Sequence, residues 1–316
     1  MPPPDPSVVR IDGPWRHLQV HANGIRFHVV EADPVVAQPR PAADRPLVIL
    51  LHGFASFWYS WRHQLRSLPD ARVVAVDLRG YGDSDKPPHG YDGWTLAGDT
   101  AGLVRALGHH SAVLVGHADG GLVCWATAML HPRVVRGIVL VSSPHPVALR
   151  SSTLTDPAQR AALLPAMLRN QVPWWPEHVL TRHDGAAVEQ LVASRAGAAW
   201  RATEDFSDSI PHLRKAIQIP SAAHSALEYQ RWAGRSQFRG EGRRFMRAMK
   251  RHTTVPVLHI HGAVDPYVLD DPVRRTQRFA PQTRFVSLSG AGHFAHEEDP
   301  AAVTGELSTF LTRLSR

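Results

Sequence analysis

Short apolar runs recur along the chain and are typical of strands buried on both faces of a sheet. The runs are residues 47–51, 73–76, 113–115, 138–141, 255–260 and 284–288. Stretches with helical spacing, such as residues 95–107 and 122–130, lie between them, and Asp299-Pro300 predicts the start of a last helix. This alternation predicts an α/β fold with an open sheet flanked by helices.

Two further β-rich runs, residues 17–20 and 25–31, flank the pair Asn23-Gly24. An Asn-Gly pair between two such runs predicts a hairpin with a two-residue turn, because both positions require a positive φ. The sheet is therefore expected to begin with an antiparallel pair of strands.

Three segments depart from the alternation of strands and helices. Residues 1–14 are rich in proline and predict a poorly ordered start, and residues 33–46 predict a loop. Residues 143–252 have helical patterns, are rich in arginine and tryptophan and contain no strand-like run. They predict a helical cap inserted into a core formed by residues 1–142 and 253–316.

Apolar residues make up 43% of the 316-residue chain, which is enough to bury a sizeable core. The single cysteine, Cys124, lies within an apolar helix pattern and is expected to be buried without a reactive role. The first residues lack a signal-peptide pattern, and no apolar run reaches the ~18 residues of a membrane span. These features predict a cytoplasmic protein.

The net charge is +7, and only three of the 35 basic residues are lysines. The densest run of arginines comprises Arg239, Arg243, Arg244, Arg247 and Arg251. A solvated helix face is the favoured interpretation of such a run. Peripheral contact with an anionic membrane surface is an alternative. No nucleic-acid partner is predicted, because no recognition motif accompanies the arginines.

The strongest structural signal lies between the run 113–115 and the helix pattern 122–130. It reads Gly116-His117-Ala118-Asp119-Gly120-Gly121. Small residues at such a junction let a strand turn sharply into a helix without clashes. This is the geometry of a nucleophile elbow, which lifts one side chain over the sheet. A tight turn with no chemistry is the alternative.

The register of this elbow leaves the nucleophile ambiguous. The nucleophile is the third residue of a pattern with small residues at its first and last positions. Counted from Gly116, the third residue is Ala118, which has no nucleophilic atom. A carboxylate follows at Asp119, but the register that makes it third places His117 at a position that should be small.

Two more strand ends carry groups suited to catalysis. Asp265 follows the run 255–260, and His293 follows the run 284–288. The chain order of nucleophile, acid and base is that of the α/β-hydrolases. Because open α/β sheets place their sites at the carboxyl ends of strands, the three positions are expected to converge.

Two longer motifs resemble a known family. Residues 52–62, from His52-Gly53-Phe54-Ala55 to Trp61-Arg62, resemble the oxyanion-loop signature of epoxide hydrolases. Residues 77–87 are similar to the next signature of that family and of the haloalkane dehalogenases. Epoxide hydrolases and haloalkane dehalogenases usually have the elbow sequence Gly-His-Asp-Trp-Gly-Gly. The resemblance covers nearly the whole chain and implies an α/β-hydrolase fold with a mostly parallel eight-stranded sheet and a helical cap.

The resemblance implies a role for each matching residue. Ala118 occupies the usual position of the nucleophile, Asp265 would orient the imidazole of His293, and His293 would act as the base. Phe54 would offer its backbone N–H to an oxyanion hole. Tyr229 resembles a cap tyrosine that hydrogen-bonds the epoxide oxygen, which needs a proton donor because an alkoxide is a poor leaving group.

Besides Ala118, the sequence departs from the family at two further points. Position 55 is usually proline but is Ala55 here, and Tyr229 is the only tyrosine within the cap, where the family usually has two. The cap tryptophans are expected either to line an apolar pocket or to pack the cap. They are Trp174, Trp175, Trp200 and Trp232.

These observations predict an epoxide hydrolase-like enzyme that opens a small apolar epoxide to a diol through an ester on Asp119, the only carboxylate in the elbow. No cofactor is predicted, and no metal, because His259, His261 and His296 lack a further ligand at suitable spacing. A monomer or a homodimer is expected.

Three other functional classes compete with this one. A catalytically reduced α/β-hydrolase that binds an apolar ligand or a protein is the main alternative, and Ala118 is its support. A haloalkane dehalogenase is weaker, since the halide-binding position beside the nucleophile, commonly Trp, is Asp119. A serine esterase is disfavoured because neither register of the elbow supplies a serine.

Overall fold

The computed structural model describes residues 3–32, 45–68 and 70–315. The strands are β1 (Trp15–Ala22), β2 (Ile25–Ala32), β3 (Leu47–Leu51), β4 (Arg72–Val76), β5 (Ala112–His117), β6 (Val135–Val141), β7 (Val257–Gly262) and β8 (Arg284–Leu288). The core helices are α1 (Arg62–Leu65), α2 (Gly93–Ala106), α3 (Asp119–Leu130), α11 (Asp270–Arg275), α12 (Ala295–Glu298) and α13 (Pro300–Leu314). The helices between β6 and β7 are α4 (Pro146–Thr155), α5 (Pro157–Asn170), α6 (Trp175–Arg195), α7 (Ala198–Arg201), α8 (Glu204–Ile217), α9 (Ala222–Arg235) and α10 (Gly240–Met249).

Within the described residues the strands form one eight-stranded sheet in the order β1-β2-β4-β3-β5-β6-β7-β8. Strand β2 pairs antiparallel with β1 and β4, whereas every pair from β4 through β8 is parallel. The predicted fold class is confirmed. Because the parallel strands share one direction, the ends of β3, β5, β7 and β8 lie along the same edge of the sheet.

The hairpin predicted around Asn23-Gly24 joins β1 and β2, and Ala22 pairs with Ile25. Asn23 has φ 47° and Gly24 has φ 81°, the two positive values that a tight hairpin turn of this kind requires. The hairpin prediction is confirmed. The loop predicted over residues 33–46 lies largely outside the described residues.

The expectation of little order over residues 1–14 is wrong for the part that the structure describes. Residues Pro6–Val9 form a short 3₁₀ helix, and Val9 is fully buried. The indole Nε1 of Trp58 donates to the Val9 carbonyl at 2.8 Å. In isolation these prolines predict disorder. In this docked segment they restrict the unfolded chain, so less backbone entropy is lost when the segment packs.

Helix α3 begins at Asp119, three residues before the apolar pattern that predicted it. The glycines that follow allow this early start. A Cβ on Gly120 would lie 2.3 Å from the Leu51 carbonyl oxygen, and one on Gly121 would lie 2.4 Å from Ser143. Only glycine lets the helix pass this close to the backbone of β3.

The residues from 143 to 252 are called the cap here, as in the sequence-based division, and they carry α4 to α10 between β6 and β7. One buried arginine joins the cap to the core. Arg62 donates to Asp205 of α8 at 2.6 Å and to Glu297 of α12 at 2.6 Å. Removing Arg62 would leave the buried Glu297 carboxylate without its cation, so this arginine is a strong link between the cap and the core.

The cap tryptophans divide into two pairs. Trp200 is buried and donates to Asp205 at 2.9 Å, and Trp232 packs edge-on against Phe245. Both pack the cap as expected. Trp174 and Trp175 neither line a pocket nor pack the cap, because they are 85% and 51% exposed. The sequence around Trp174 and Trp175 does not reveal that these two side chains point into solvent.

Cys124 is fully buried in α3, as predicted, and burial raises the pKa of its thiol. No helix in the described ranges combines the length and apolarity needed to cross a bilayer.

Candidate active site

The elbow between β5 and α3 is built around Ala118. Its φ of 46° and ψ of −113° lie outside the regions that non-glycine residues normally occupy. The Ala118 N–H donates to the Val141 carbonyl at 3.1 Å, and the Ser143 hydroxyl donates to the Ala118 carbonyl at 2.8 Å. These contacts hold the strained residue at the apex. The register counted from Gly116 is therefore the one that the fold adopts, and Asp119 is the first residue of the helix.

The loop after β3 lies directly against this apex. A Cβ on Gly53 would lie 3.1 Å from the Cβ of Ala118, so the backbone at Gly53-Phe54 approaches the apex as an oxyanion loop must. Ala55, at the usual proline position, has φ 56°. The φ angle of proline is fixed near −65°, so a proline could not adopt the φ of Ala55. The backbone of this loop therefore follows a path that is closed to proline at position 55.

Asp265 and His293 are hydrogen-bonded, as expected. The Asp265 Oδ2 lies 2.8 Å from His293 Nδ1, and its Oδ1 accepts the backbone N–H of Tyr267 and of Val268 at 2.8 and 3.0 Å. Burial alone would raise the pKa of Asp265, but the neighbouring His293 and the Val268 N–H lower it below the ordinary value. An ionised Asp265 holds the imidazole in the tautomer that leaves Nε2 free to accept a proton.

The carboxylate of Asp119 lies in the same site. Burial raises its pKa, and the Gln230 side chain and the charges of Arg195 and His293 partly offset that rise. Its Oδ2 is buried without a hydrogen-bond partner among the described residues. A buried carboxylate oxygen with no donor is costly, and such groups are found where a ligand or a reaction uses them.

Tyr229 lies close to the site, but its proton is already engaged. Its hydroxyl donates to the Arg79 carbonyl at 2.8 Å. Its ring packs edge-on against Tyr81, at 5.6 Å between centroids, and lies tilted against Tyr91, at 5.7 Å. To donate to an epoxide oxygen, Tyr229 would first have to release Arg79.

Two tyrosines to which the sequence gave no role are affected by the charge of Asp119. The Tyr81 hydroxyl is buried and has no acceptor for its proton among the described residues, although the Ala55 N–H lies within reach of its oxygen; burial, followed by the charge of Asp119, raises its pKa well above the ordinary value. Tyr267 senses the same carboxylate, and the Arg195 guanidinium lies 3.5 Å from its ring centroid. Tyr81 stands within the quoted motif 77–87, and Tyr267 is two residues after Asp265. These sequence positions, close to residues already assigned to the site, are the signals that could have identified the two tyrosines.

One carboxylate clamps the loop that carries His293. Glu298 accepts the N–H of Gly292 at 2.7 Å and that of Phe294 at 2.9 Å, on either side of the histidine, and also the N–H of Gly197 from the cap at 2.8 Å. The His293 N–H donates to the Arg195 carbonyl at 2.9 Å. The loop that carries His293 is therefore held by backbone contacts that join the core and the cap.

The other histidines named from the sequence are buried. His259 and His261 lie on β7, and His296 lies 4.6 Å from His117 between ring centroids. Burial lowers the pKa of all three. Within the described residues no group of three or more histidine, cysteine or acidic side chains is arranged to hold a metal ion.

The model of the alpha/beta hydrolase fold family matches residues 46–300. Epoxide hydrolase 4 of Homo sapiens is 31% identical over 99% of this chain and 82% of its own length. Epoxide hydrolase A of Mycobacterium tuberculosis is 32% identical over 93% of this chain and 97% of its own. The chain belongs to the epoxide hydrolase family of α/β-hydrolases. Ala118 stands at the apex of the elbow in this member of the family.

Solved structures share the fold of this epoxide hydrolase-family protein. An epoxide hydrolase of Bacillus megaterium in complex with an inhibitor aligns with a TM-score of 0.76 at 23% identity, over 93% of this chain and 100% of that one. Cfl2 of Burkholderia cenocepacia aligns with a TM-score of 0.79 at 24% identity, over 98% of each chain. The sheet and the helices that flank it are thus common to proteins that differ in three quarters of their residues.

Proposed function

We propose that this protein hydrolyses small apolar epoxides to diols, with the Asp119 carboxylate in place of the missing nucleophile. The observation that carries the proposal is the buried, unpartnered Oδ2 of Asp119 beside the Asp265–His293 pair. An ionised carboxylate needs no base to attack. Its position one residue after the apex makes poor alignment and slow turnover the expectation.

In the first step an Asp119 carboxylate oxygen bonds to an epoxide carbon while the carbon–oxygen bond of the ring breaks. The ring oxygen takes a proton from a tyrosine hydroxyl. Tyr81 is the donor that the geometry favours, because its hydroxyl has no acceptor among the described residues. Tyr229, the donor expected from the sequence, is the competing candidate.

In the second step His293 Nε2 removes a proton from water, and the water oxygen attacks the ester carbonyl on Asp119. The Phe54 N–H lies on the loop suited to stabilise the resulting oxyanion. Collapse of the intermediate releases the diol and restores the carboxylate, and the proton held by the His293 imidazolium passes through solvent to the tyrosinate, which restores both groups. Asp265 stabilises the imidazolium during this step.

The test is one turnover in ¹⁸O-labelled water with enzyme in excess over the epoxide. Attack by Asp119 yields an unlabelled first diol, because the new oxygen comes from the carboxylate, and it leaves label in the protein. Label in the first diol would replace the ester with direct attack by water activated at His293. Retained single-turnover activity in Asp119→Asn would also overturn the ester mechanism.

A ligand-binding protein without turnover is the second candidate, and Ala118 at the apex is the observation that favours it. In that case neither the wild-type protein nor Ala118→Asp would turn over epoxides, and an apolar ligand would bind tightly to both. The oligomeric state, a monomer or a homodimer, stays a prediction that size-exclusion chromatography with light scattering can check.

A further inference from the structure

Exposed apolar side chains gather at one place on the cap. Five large ones flank the C-terminal end of α9 and are called the apolar patch here: Leu168, Val172, Trp174, Trp175 and Phe238. Phe238 is 87% exposed and Trp174 is 85% exposed, which is unusual for aromatic residues of a folded chain. Contiguous exposed apolar groups of this kind mark an interaction surface.

Hydrogen bonds hold the two parts of the apolar patch beside the same helix end. Arg231 of α9 donates to the Val172 carbonyl at 2.9 Å, and Arg235 donates to the Gln171 carbonyl at 3.3 Å. Phe238 ends the 3₁₀ turn Ser236–Phe238, which follows α9 directly. The patch is therefore anchored to ordered backbone.

The backbone at Trp174 is itself unusual. Its φ of 59° lies in the left-handed region, which bulky side chains rarely adopt. The indole remains exposed to solvent, so packing within the described chain does not compensate for this strain. Strain that presents an aromatic ring to solvent points to a partner for that ring.

Exposed arginines that form no ion pair with the described residues lie close in sequence to Phe238 of the apolar patch. They are Arg235, Arg239, Arg243, Arg244 and Arg247. None of them forms an ion pair within the part of the chain that the structure describes. Glu241 is the one acidic residue between 235 and 251. Arginines that lack a carboxylate partner, next to exposed apolar side chains, favour an anionic partner.

We propose that the apolar patch and these arginines bind the surface of an anionic lipid bilayer. Tryptophan and phenylalanine settle at the level of the lipid headgroups, and arginines bind the phosphates around them. A single-stranded nucleic acid fits less well, because Leu168 and Val172 offer no ring on which a base could stack. A symmetric dimer through this face would bring the two sets of arginines together, so their charges oppose it.

The test is binding to phosphatidylglycerol vesicles, compared with phosphatidylcholine vesicles, followed by co-sedimentation and by tryptophan fluorescence. We expect binding to the anionic vesicles, a blue shift of the emission and weakening by salt. Arg243→Gln with Arg244→Gln should weaken binding by roughly 25-fold, since each arginine near such a surface contributes about five-fold. Trp174→Ser with Trp175→Ser should remove the blue shift.

Two matched variants control for general loss of charge or apolar area. Leu154→Ser removes an exposed apolar residue of α4, and Arg313→Gln removes an exposed arginine of α13. Both should bind as the wild type does. Equal binding by the patch variants and these controls, or no binding to anionic vesicles at low salt, would overturn the proposal. So would a preference for single-stranded DNA over vesicles, or a dimer that Trp174→Ser dissociates.

Discussion

At position 118 a backbone conformation built to present a nucleophile presents a methyl group. The φ of 46° at Ala118 is retained by hydrogen bonds to Val141 and Ser143, although no reactive atom benefits from it. The nearest carboxylate, Asp119, belongs to the first turn of α3 and is offset from the apex by one residue. The rate of any reaction at this site therefore depends on whether a carboxylate one residue after the apex can still reach the substrate.

Restoring the carboxylate at the apex should raise epoxide turnover. Aspartate tolerates a positive φ better than most residues, so Ala118→Asp is expected to fold. A misplacement of about 1 Å costs roughly 100-fold in rate, and the variant should gain at least about that factor in kcat/KM. Ala118→Asn, which has the same shape but no nucleophilic carboxylate, is the control. Equal activity in the two variants would contradict this prediction.

The rate of ester formation by the wild-type protein should begin to fall at an unusually high pH as the solution is acidified. Burial raises the pKa of Asp119, and only the ionised form attacks. The rate should therefore fall with decreasing pH around a midpoint above the ordinary aspartate value of about 3.9. Rapid-quench measurement of alkylated protein across pH gives this midpoint. A midpoint at or below 3.9 would show that burial does not govern this carboxylate.

The two tyrosines can be separated by removing one hydroxyl at a time. Tyr81→Phe should slow ester formation by roughly 10–1000-fold, as expected for the loss of one acid, without destabilising the fold. Tyr229→Phe leaves the buried Arg79 carbonyl unpaired and should lower the free energy of unfolding by about 1–3 kcal/mol, with a smaller effect on ester formation. The reverse order of rates would assign the proton to Tyr229.

Among the elements, the turn before α12 and the segment after α6 depend on each other. A Cβ on Gly292 would lie 2.5 Å from the Arg195 carbonyl oxygen, and one on Gly197 would lie 2.5 Å from that of Gly290. The absence of side chains lets the cap touch the backbone that carries His293. Glu298 then satisfies the N–H groups brought together by this approach.

Glu298→Gln should loosen that junction. The amide replaces one acceptor oxygen by a donor, so at least one of the three N–H groups loses its partner, at a cost of about 1–3 kcal/mol in the free energy of unfolding. Hydrogen exchange should accelerate at Gly197, Gly292 and Phe294, and hydrolysis of the ester should slow more than its formation. Glu306→Gln, on α13 and paired with Arg284, is the control. Unchanged exchange at the three amides would disprove the clamp.

Across the whole molecule, buried carboxylates tie separate layers together. Asp77 accepts from His28 of β2 at 2.7 Å and from the N–H of Trp58 at 2.9 Å. Burial alone would raise its pKa, yet these contacts and the nearby His52 lower it. Asp265 behaves in the same way. A carboxylate whose pKa is lower in the folded state stabilises that state only while it is ionised.

Acid should therefore destabilise the protein through these groups. Their contribution is complete above the unfolded value of about 3.9 and is lost as pH falls through the lower folded values. Asp119 acts in the opposite sense, because its folded pKa is raised. Urea unfolding between pH 6 and 2 should show stability falling below about pH 4, and Asp265→Asn should flatten that fall. An equal slope in both proteins would exclude Asp265 as a source.

The sequence by itself determined the features that depend on neighbours along the chain. Strands such as β3 and β8 follow from short apolar runs, the first hairpin from Asn23-Gly24, and the start of α13 from Asp299-Pro300, where the aspartate accepts the Ala302 N–H at 3.1 Å. It also led to the expectation that Asp265 and His293 meet, because strand ends converge in any parallel sheet, and the two side chains are hydrogen-bonded. Local propensity and strand direction are both encoded within a few residues.

Only the tertiary structure decided the features that depend on which distant segments meet. It engaged the Tyr229 proton at Arg79, left Tyr81 beside Asp119, and joined the cap to the His293 loop through Glu298. It also docked the proline-rich start of the chain against Trp58 and turned Trp174 outward. No periodicity encodes these outcomes, because a hydrogen bond or a buried contact is set by the position of the partner in space, and here the partners are up to 150 residues apart.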